Sequence, residues 1–364
     1  MKHYCPIPFH HIAIRPNGTM QPCCAFRWNE IPDDFTINYK NLFYDHPFMN
    51  KIREDLKQDK PVAGCEGCYK AEELTGRSMR TEYMEKVTKK YGSNVPMEPN
   101  LTYIDLALSN VCNNRCRMCG PDLSTNWYAD TKALGGTIPS GLINLDSAFA
   151  DNIDFSKLTY IKMIGGEPLM EQEKFISILE KCNLPKLSIL IATNSTVKPN
   201  EKLLDLFAKC NSVNWNLSID SYGPLNNFLR KGSKWEQVAE NLDWFVKTFP
   251  KKVKVVSVIS IYNANNFYEL ADYVKDKCDI GFNIVDGVEW MMPKNLPEDV
   301  KEEVIRLINS TEHHFKPRVI DAINQPGGKP DHFFFKDKEI NKLRNETWFD
   351  SNPELYELLK KYYD

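Results

Sequence analysis

The sequence has 364 residues, of which 42% are hydrophobic and 26% charged, and its formal net charge is −3. That length exceeds a single small core and suits one large domain with a smaller companion. The weak charge gives no reason to expect nucleic acid or a membrane as partner, and no apolar run approaches the roughly 20 residues that cross a bilayer. No apolar signal segment follows Met1–Pro6, so a cytoplasmic protein is the default expectation.

Taken in chain order, the first feature is a cluster of cysteines. Of eleven in total, Cys5, Cys23, Cys24, Cys65 and Cys68 fall in the first fifth of the chain. In a reducing compartment such cysteines read as metal ligands rather than disulfides. Arg15-Pro-Asn-Gly18-Thr-Met predicts a hairpin turn between two short strands, with Cys5 and Cys23 on either side. Residues 46–58 and 69–90 read as charged helices, and Cys65-Glu-Gly-Cys68 lies between them. A hairpin closed by this C-x2-C loop supplies four thiolates, enough to ligate an iron–sulfur cluster fully or to bind zinc. Cys24 is a fifth thiol, read as packing or as an exchangeable ligand. His10, His11, His313 and His314 read as surface or packing residues. The stretch 91–100, rich in turn formers, reads as a linker.

Beyond it, short apolar runs alternate with amphipathic stretches. Strands are expected at 102–108, 160–164, 187–192, 212–219, 253–261 and 281–285, and helices at 172–181, 201–209, 235–248 and 266–276. This alternation predicts an α/β fold with a parallel sheet and helices packed outside it. Six units are too few for a closed eight-fold barrel, so the expectation is a partial (β/α)6 barrel with function on the loops at the C-terminal strand ends. From Leu296 the sequence turns helical and aromatic, which reads as a C-terminal cap. The expected organisation is a cysteine-rich α+β module at 1–95, the barrel at 96–295 and the cap at 296–364. Cys182, Cys210 and Cys278, scattered singly, are expected in the core.

Directly after the first barrel strand comes Cys112-Asn-Asn-Arg-Cys116-Arg-Met-Cys119. Three thiolates on one loop can close on a four-iron cluster and leave one iron open, as catalytic metal sites do. Structural zinc would need a fourth ligand, and no histidine lies between residues 47 and 312. The C-x3-C-x2-C motif resembles the signature of the radical S-adenosylmethionine (SAM) superfamily. The resemblance extends over about residues 100–290 through Gly165-Gly166-Glu167-Pro168, Thr193-Asn194, Ser218-Ile-Asp220 and Arg230, all at or after strand ends. It implies that the open iron chelates SAM and that reduction splits SAM into methionine and a 5′-deoxyadenosyl radical. It further implies that the glycines and Glu167 line the SAM amino group, that Ser218 and Arg230 serve its carboxylate, and that Asn263 contacts the ribose. Met118 stands where the family usually has an aromatic residue whose backbone meets the adenine, and Asp220-Ser replaces Asp-Gly.

The pattern Cys5-x12-Gly18-x4-Cys23 with Cys65-x2-Cys68 is similar to the twitch module, the short form of the SPASM domain, which holds a second four-iron cluster. Such modules usually follow the barrel; here it precedes it. The resemblance thus implies SAM and two 4Fe-4S clusters as cofactors, a small-molecule or peptide substrate, and an external electron donor such as a flavodoxin or ferredoxin. A fully ligated second cluster would suit a substrate radical that must lose an electron, hence an oxidative modification of a peptide or a sugar-like small molecule, with isomerisation or epimerisation as the alternative. From other classes, a non-catalytic iron–sulfur carrier would not need the SAM-type elements. A zinc-stabilised nucleic-acid binder would want a basic patch, whereas Lys251-Lys-Val-Lys254 reads as the solvated start of a strand.

Overall fold

A computed structural model describes residues 2–92, 95, 97–139, 145 and 153–363. The linker stretch 91–100 lies partly outside these, at 93, 94 and 96. The chain divides into two compact units, neither continuous in sequence: residues 1–110, 140–191 and 199–213 form the first, and residues 111–139, 192–198 and 214–364 the second. The boundaries cut through two strands, β5 (Ser188–Thr193) and β6 (Ser212–Ser218).

In the first unit the strand order is β2-β1-β3-β4-β5, with β1 His11–Ile14, β2 Met20–Gln21, β3 Tyr103–Ala107 and β4 Tyr160–Ile164. The expected hairpin exists: β1 and β2 pair antiparallel, and Gly18 takes φ +78° in the turn. What spacing did not predict is that β1 also pairs in parallel with β3, His11 opposite Tyr103 and Ala13 opposite Asp105. The ladder continues in parallel to β4, which pairs Asp105 with Lys162, and on to β5. Alternate residues of β4 and β5 are buried. Ile104, Leu106, Ile161, Met163, Ile189 and Ile191 are sealed from solvent, each contributing about 1.5–3 kcal/mol by burial. Besides two single-turn helices at Ile7–His10 and Leu42–Asp45, the N-terminal part has α1 Pro47–Lys57, α2 Glu66–Thr75 and α3 Met79–Tyr91. Helices α2 and α3 were expected as one. Gly76 breaks them by adopting φ +71°, and Ser78 then opens α3 with a capping box. Helices α5 (Gln172–Leu179) and α6 (Glu201–Phe207) complete this unit.

In the second unit β6, β7 (Val253–Ile259) and β8 (Asp279–Ile284) run parallel. Their helices are α4 (Tyr128–Ala133), α7 (Pro224–Leu229), α8 (Trp235–Thr248) and α9 (Phe267–Val274), followed by the expected helical tail of α10 (Glu298–Asn309), α11 (Lys316–Ile323), α12 (Pro330–Arg344) and α13 (Pro353–Leu359). Val238, Leu242 and Phe245 give α8 its buried face at helical spacing. One apolar cluster joins β7, α7 and α9 to the tail through Tyr262, Phe267, Phe333 and Trp348. The architecture is α/β with parallel strands and a helical C-terminal region, as expected.

Cys182, Cys210 and Cys278 correct the expected core placement, since all three are only half-buried. Cys182 and Cys210 follow the ends of α5 and α6, where their thiols donate to carbonyls four residues back. Among the described residues no helix is long and apolar enough to cross a membrane.

Candidate active site

Each unit is built around one group of cysteines. In the first unit, Cys5 and Cys23 are buried among Tyr4, Ile7, Phe9, Phe26, Ile52 and Leu56, with half-buried Cys65 packed on this cluster. Cys65 caps α2 and Cys68 lies in its first turn. Burial pushes the Cys5 and Cys65 thiols up to about 12, and Cys23 well above its usual range. The thiols add to one another's shifts: Cys65 and Cys68 act on Cys5, Cys5 and Cys65 on Cys23, and Cys68 on Cys65. The hairpin and the C-x2-C turn therefore converge. Two buried and two half-buried thiols gathered in one place are a ligand set that suits a metal cluster. Arg80 lowers the thiols of Cys5 and Cys65 by its charge, and also donates to the Tyr4 carbonyl.

Cys24 points elsewhere. It is exposed, its thiol lies 3.6 Å from the Met79 sulfur, and partial desolvation followed by the charge of Asp105 pushes the thiol above its usual range. Asp105 is sealed from solvent, with His11 Nε2 at 3.6 Å and Lys162 Nζ at 3.7 Å from its two oxygens. Burial alone would raise this carboxyl, but His11, Lys162 and Tyr103 more than offset it and hold Asp105 at about 2. His11 is thus more than a packing residue.

The glycine pair after β4 also lies in the first unit. Gly165 adopts φ +125°, and a Cβ there would sit 2.7 Å from the Ser109 carbonyl. Gly166 N–H donates to that same carbonyl at 3.0 Å, which ties the β4 turn to the end of β3. Glu167 is buried, and its carboxylate accepts from Leu169 N–H at 3.0 Å.

In the second unit, Cys112 and Cys116 are buried and Cys119 half-buried on one loop. A hydrogen bond between Cys116 and Cys119 holds the first below the usual thiol range and pushes the second above it. N–H donors surround the sulfurs. Cys112 Sγ accepts from Asn114 N–H at 3.4 Å and from Asn194 Nδ2 at 3.8 Å, and Cys116 Sγ accepts from Arg230 Nη1 at 3.8 Å. Donors aimed at sulfur stabilise thiolate charge and tune a cluster held by it, so this loop fits a four-iron centre. Among the described residues no three His, Cys, Asp or Glu side chains are spaced for a single metal ion.

Of the strand-end residues expected to serve SAM, Asn194 and Arg230 reach this loop. Asn194, after β5, also bonds Asn113 Oδ1 at 2.7 Å, while Thr193 Oγ1 accepts from Ser195 N–H. Ser218 ends β6, half-buried. Arg230 Nε pairs with Asp220 Oδ2 at 2.7 Å, and Asp220 Oδ1 accepts from Val258 N–H at 2.9 Å. Gly232, at φ +111°, allows the chain to pass the Asn113 carbonyl where a Cβ would come within 2.5 Å. Met118 packs against the apolar cluster, leaving its backbone as the expected contact. Asn263 departs from expectation. It is sealed from solvent, its amide donates to the Asp220 and Val258 carbonyls, and its oxygen accepts twice from Ser260. All its hydrogen-bonding capacity clamps the turn after β7, so a ribose contact would have to replace one of these bonds.

Sequence reading passed over Arg117, which lies between the cysteines. Its buried guanidinium stacks 3.8 Å from the Phe228 ring, donates to Asn341, and pairs with Glu346 at 2.9 Å and Asp337 at 3.5 Å. Arg344 pairs with Asp130 of α4 at 2.8 Å, and Trp127 Nε1 donates to the Cys116 carbonyl at 2.9 Å. The tail is therefore locked onto the cysteine loop. A charged residue inside the C-x3-C-x2-C motif was the only signal for this.

Residues 106–275 match the family model described as the radical SAM superfamily. Mitochondrial GTP 3′,8-cyclase of Arabidopsis thaliana is 25% identical over 56% of this chain and 52% of its own length. GTP 3′,8-cyclase of Haemophilus influenzae is 26% identical over 50% and 52%. The chain thus spans about half the length of these relatives. Among solved structures, anSMEcpe with bound AdoMet is similar at 17% identity and TM-score 0.41, over 58% of this chain and 60% of that one. Streptococcus suis SuiB bound to S-adenosylmethionine is similar at 14% and 0.36, over 76% and 61%. Likenesses this loose carry no argument about the reaction.

Proposed function

The chain belongs to the radical SAM superfamily, and we propose that this enzyme carries out an oxidative modification of a peptide or of a sugar-like small molecule, with a second cluster in its N-terminal region. The observation that carries the second cluster is the convergence of Cys5, Cys23, Cys65 and Cys68. In this reading residues 1–95 form the auxiliary module, 96–295 the SAM-cleaving domain and 296–364 the cap. Cys112, Cys116 and Cys119 hold the cluster that binds SAM. When bound, that cluster supplies the electron that opens SAM to a radical, and the second provides a place for an electron to go. The chain's own residues orient and shield. Gly165, Gly166 and Glu167 receive the SAM amino group, Met118 offers its backbone to the adenine, and Ser218 and Arg230 face the carboxylate. Asp220 fixes the Arg230 guanidinium, Asn194 braces the cysteine loop, and Thr193 holds the turn after β5 beside it in sequence. The nucleotide named for the relatives belongs to the small-molecule class of substrate. Epimerisation is the second reading, favoured by exposed Cys24, a thiol outside both ligand sets that can return a hydrogen atom to carbon.

The test is anaerobic incubation of iron-reconstituted protein with SAM and dithionite. Wild type is expected to form 5′-deoxyadenosine. Replacing Cys112, Cys116 and Cys119 by alanine is expected to abolish it and to remove about half the iron. Continued SAM cleavage by the triple variant would refute the ligand assignment.

A further inference from the structure

We propose that the outer stripe of α12 (Phe335, Lys338, Lys342 and Leu343), beside a hollow that reaches Cys119, is the docking surface for an acidic one-electron carrier protein. The inference rests on the superfamily chemistry above, which needs an electron from outside. On α12 the inner positions Phe333, Asp337, Ile340 and Arg344 are buried. Residues 335, 338 and 342 fall on the opposite face by helical spacing, with Leu343 on its flank. Phe335 is 61% and Leu343 38% exposed, two of few large apolar side chains left in water. Lys338 and Lys342 between them are exposed, and among the described residues neither ammonium has a carboxylate within ion-pair distance. The acids nearby are spoken for: Glu339, on the same stripe, pairs with Lys336 at 2.8 Å, and Glu346 pairs with Lys231 and Arg117. The stripe is therefore net positive and framed by apolar side chains. That composition suits a brief encounter steered by charge and completed by a small apolar contact.

Its place in the fold matches the task. Cys119 is the least buried of the three loop cysteines. With Gly120, Pro121, Trp127 and Trp290 it lines a hollow of about 320 Å³ whose wall includes Lys336 and Glu339 of α12. Lys338 and Lys342 line a second hollow, on another side of α12, with Asn341 and Glu346. Arg117, one residue from Cys116, reaches Asp337 and Asn341 on α12, so the helix is fixed to the loop that needs the electron. A convex helical face suits a macromolecule rather than a small substrate.

The experiment compares two electron sources. Wild type and Lys338→Glu/Lys342→Glu are assayed for 5′-deoxyadenosine, once with flavodoxin kept reduced by its reductase and once with dithionite. With flavodoxin at roughly 50 mM salt, the variant is expected to lose at least about tenfold in rate, and wild type to slow as salt rises. With dithionite the two are expected to be equal, which shows an intact fold and cluster. An unchanged flavodoxin-driven rate overturns the proposal, and so does an equal loss with both donors. If wild type forms no 5′-deoxyadenosine with dithionite, the superfamily chemistry and the docking surface fall together.

Discussion

Arg230 carries its charge largely out of water, between Asp220 and the Cys116 sulfur. Such a pair adds little net stability over apolar packing, but removing one partner strands the other at a cost of about 3–5 kcal/mol. Arg230→Ala is therefore expected to lower the unfolding free energy by about that amount, and Asp220→Asn in the same chain to recover part of it. If Arg230 also meets the SAM carboxylate, SAM affinity falls about tenfold to a hundredfold in both the single and the double variant. Urea unfolding and equilibrium SAM binding separate the two effects. An Arg230→Ala protein as stable as wild type would show that the ion pair is not what holds this loop. The roles of Cys112, Cys116 and Cys119 could be read from spacing alone. The saturation of Asn263 could not, because it depends on where Asp220, Val258 and Ser260 lie.

At the scale of elements, β1, β3 and β4 bring His11, Asp105 and Lys162 into one row across the sheet, with His11 Nε2 and Lys162 Nζ at 3.6 and 3.7 Å from the carboxylate. The neighbours of Asp105 more than offset the rise from burial and hold it at about 2, against 3.8 for a free carboxyl. A carboxyl with a depressed folded value contributes stability above its unfolded value and loses it as pH falls through the folded one. The shift corresponds to about 2 kcal/mol. Wild type is thus expected to lead Asp105→Asn by about that much at pH 5.5, with the lead shrinking as pH falls from about 4 toward 2. Urea midpoints at pH 5.5 and pH 3 check it, and a gap that does not narrow would remove the carboxylate from this role. The six strands after residue 100 were legible as short apolar runs between amphipathic stretches, with alternate burial in β4, β5 and β6. The parallel pairing of β1 was not, since four residues flanked by a hairpin turn carry no mark of a second partner.

For the whole molecule, the compact units do not follow chain order, and each contains one group of cysteines. If Cys5, Cys23, Cys65 and Cys68 hold a cluster of their own, losing it should not stop radical initiation at the other. Cys65→Ala with Cys68→Ala is expected to remove about half the iron while 5′-deoxyadenosine formation continues. Iron analysis, circular dichroism and the nucleoside assay read the outcome together. Aggregation would assign these cysteines a folding role instead, and full iron content would refute their role as ligands.

The sequence by itself determined the α/β alternation, the helical tail, the cysteine loop and the glycine turn after β4. Each depends on backbone periodicity or on spacing within a few residues, and these survive in one dimension. Tertiary structure alone decided that Asp220 holds Arg230, that Cys24 stands exposed with its thiol against the Met79 sulfur, and that Arg117 finds Asp337, 220 residues further on. Buried charges must find opposite charges or hydrogen-bond partners wherever folding places them. Nothing in the local sequence names those partners.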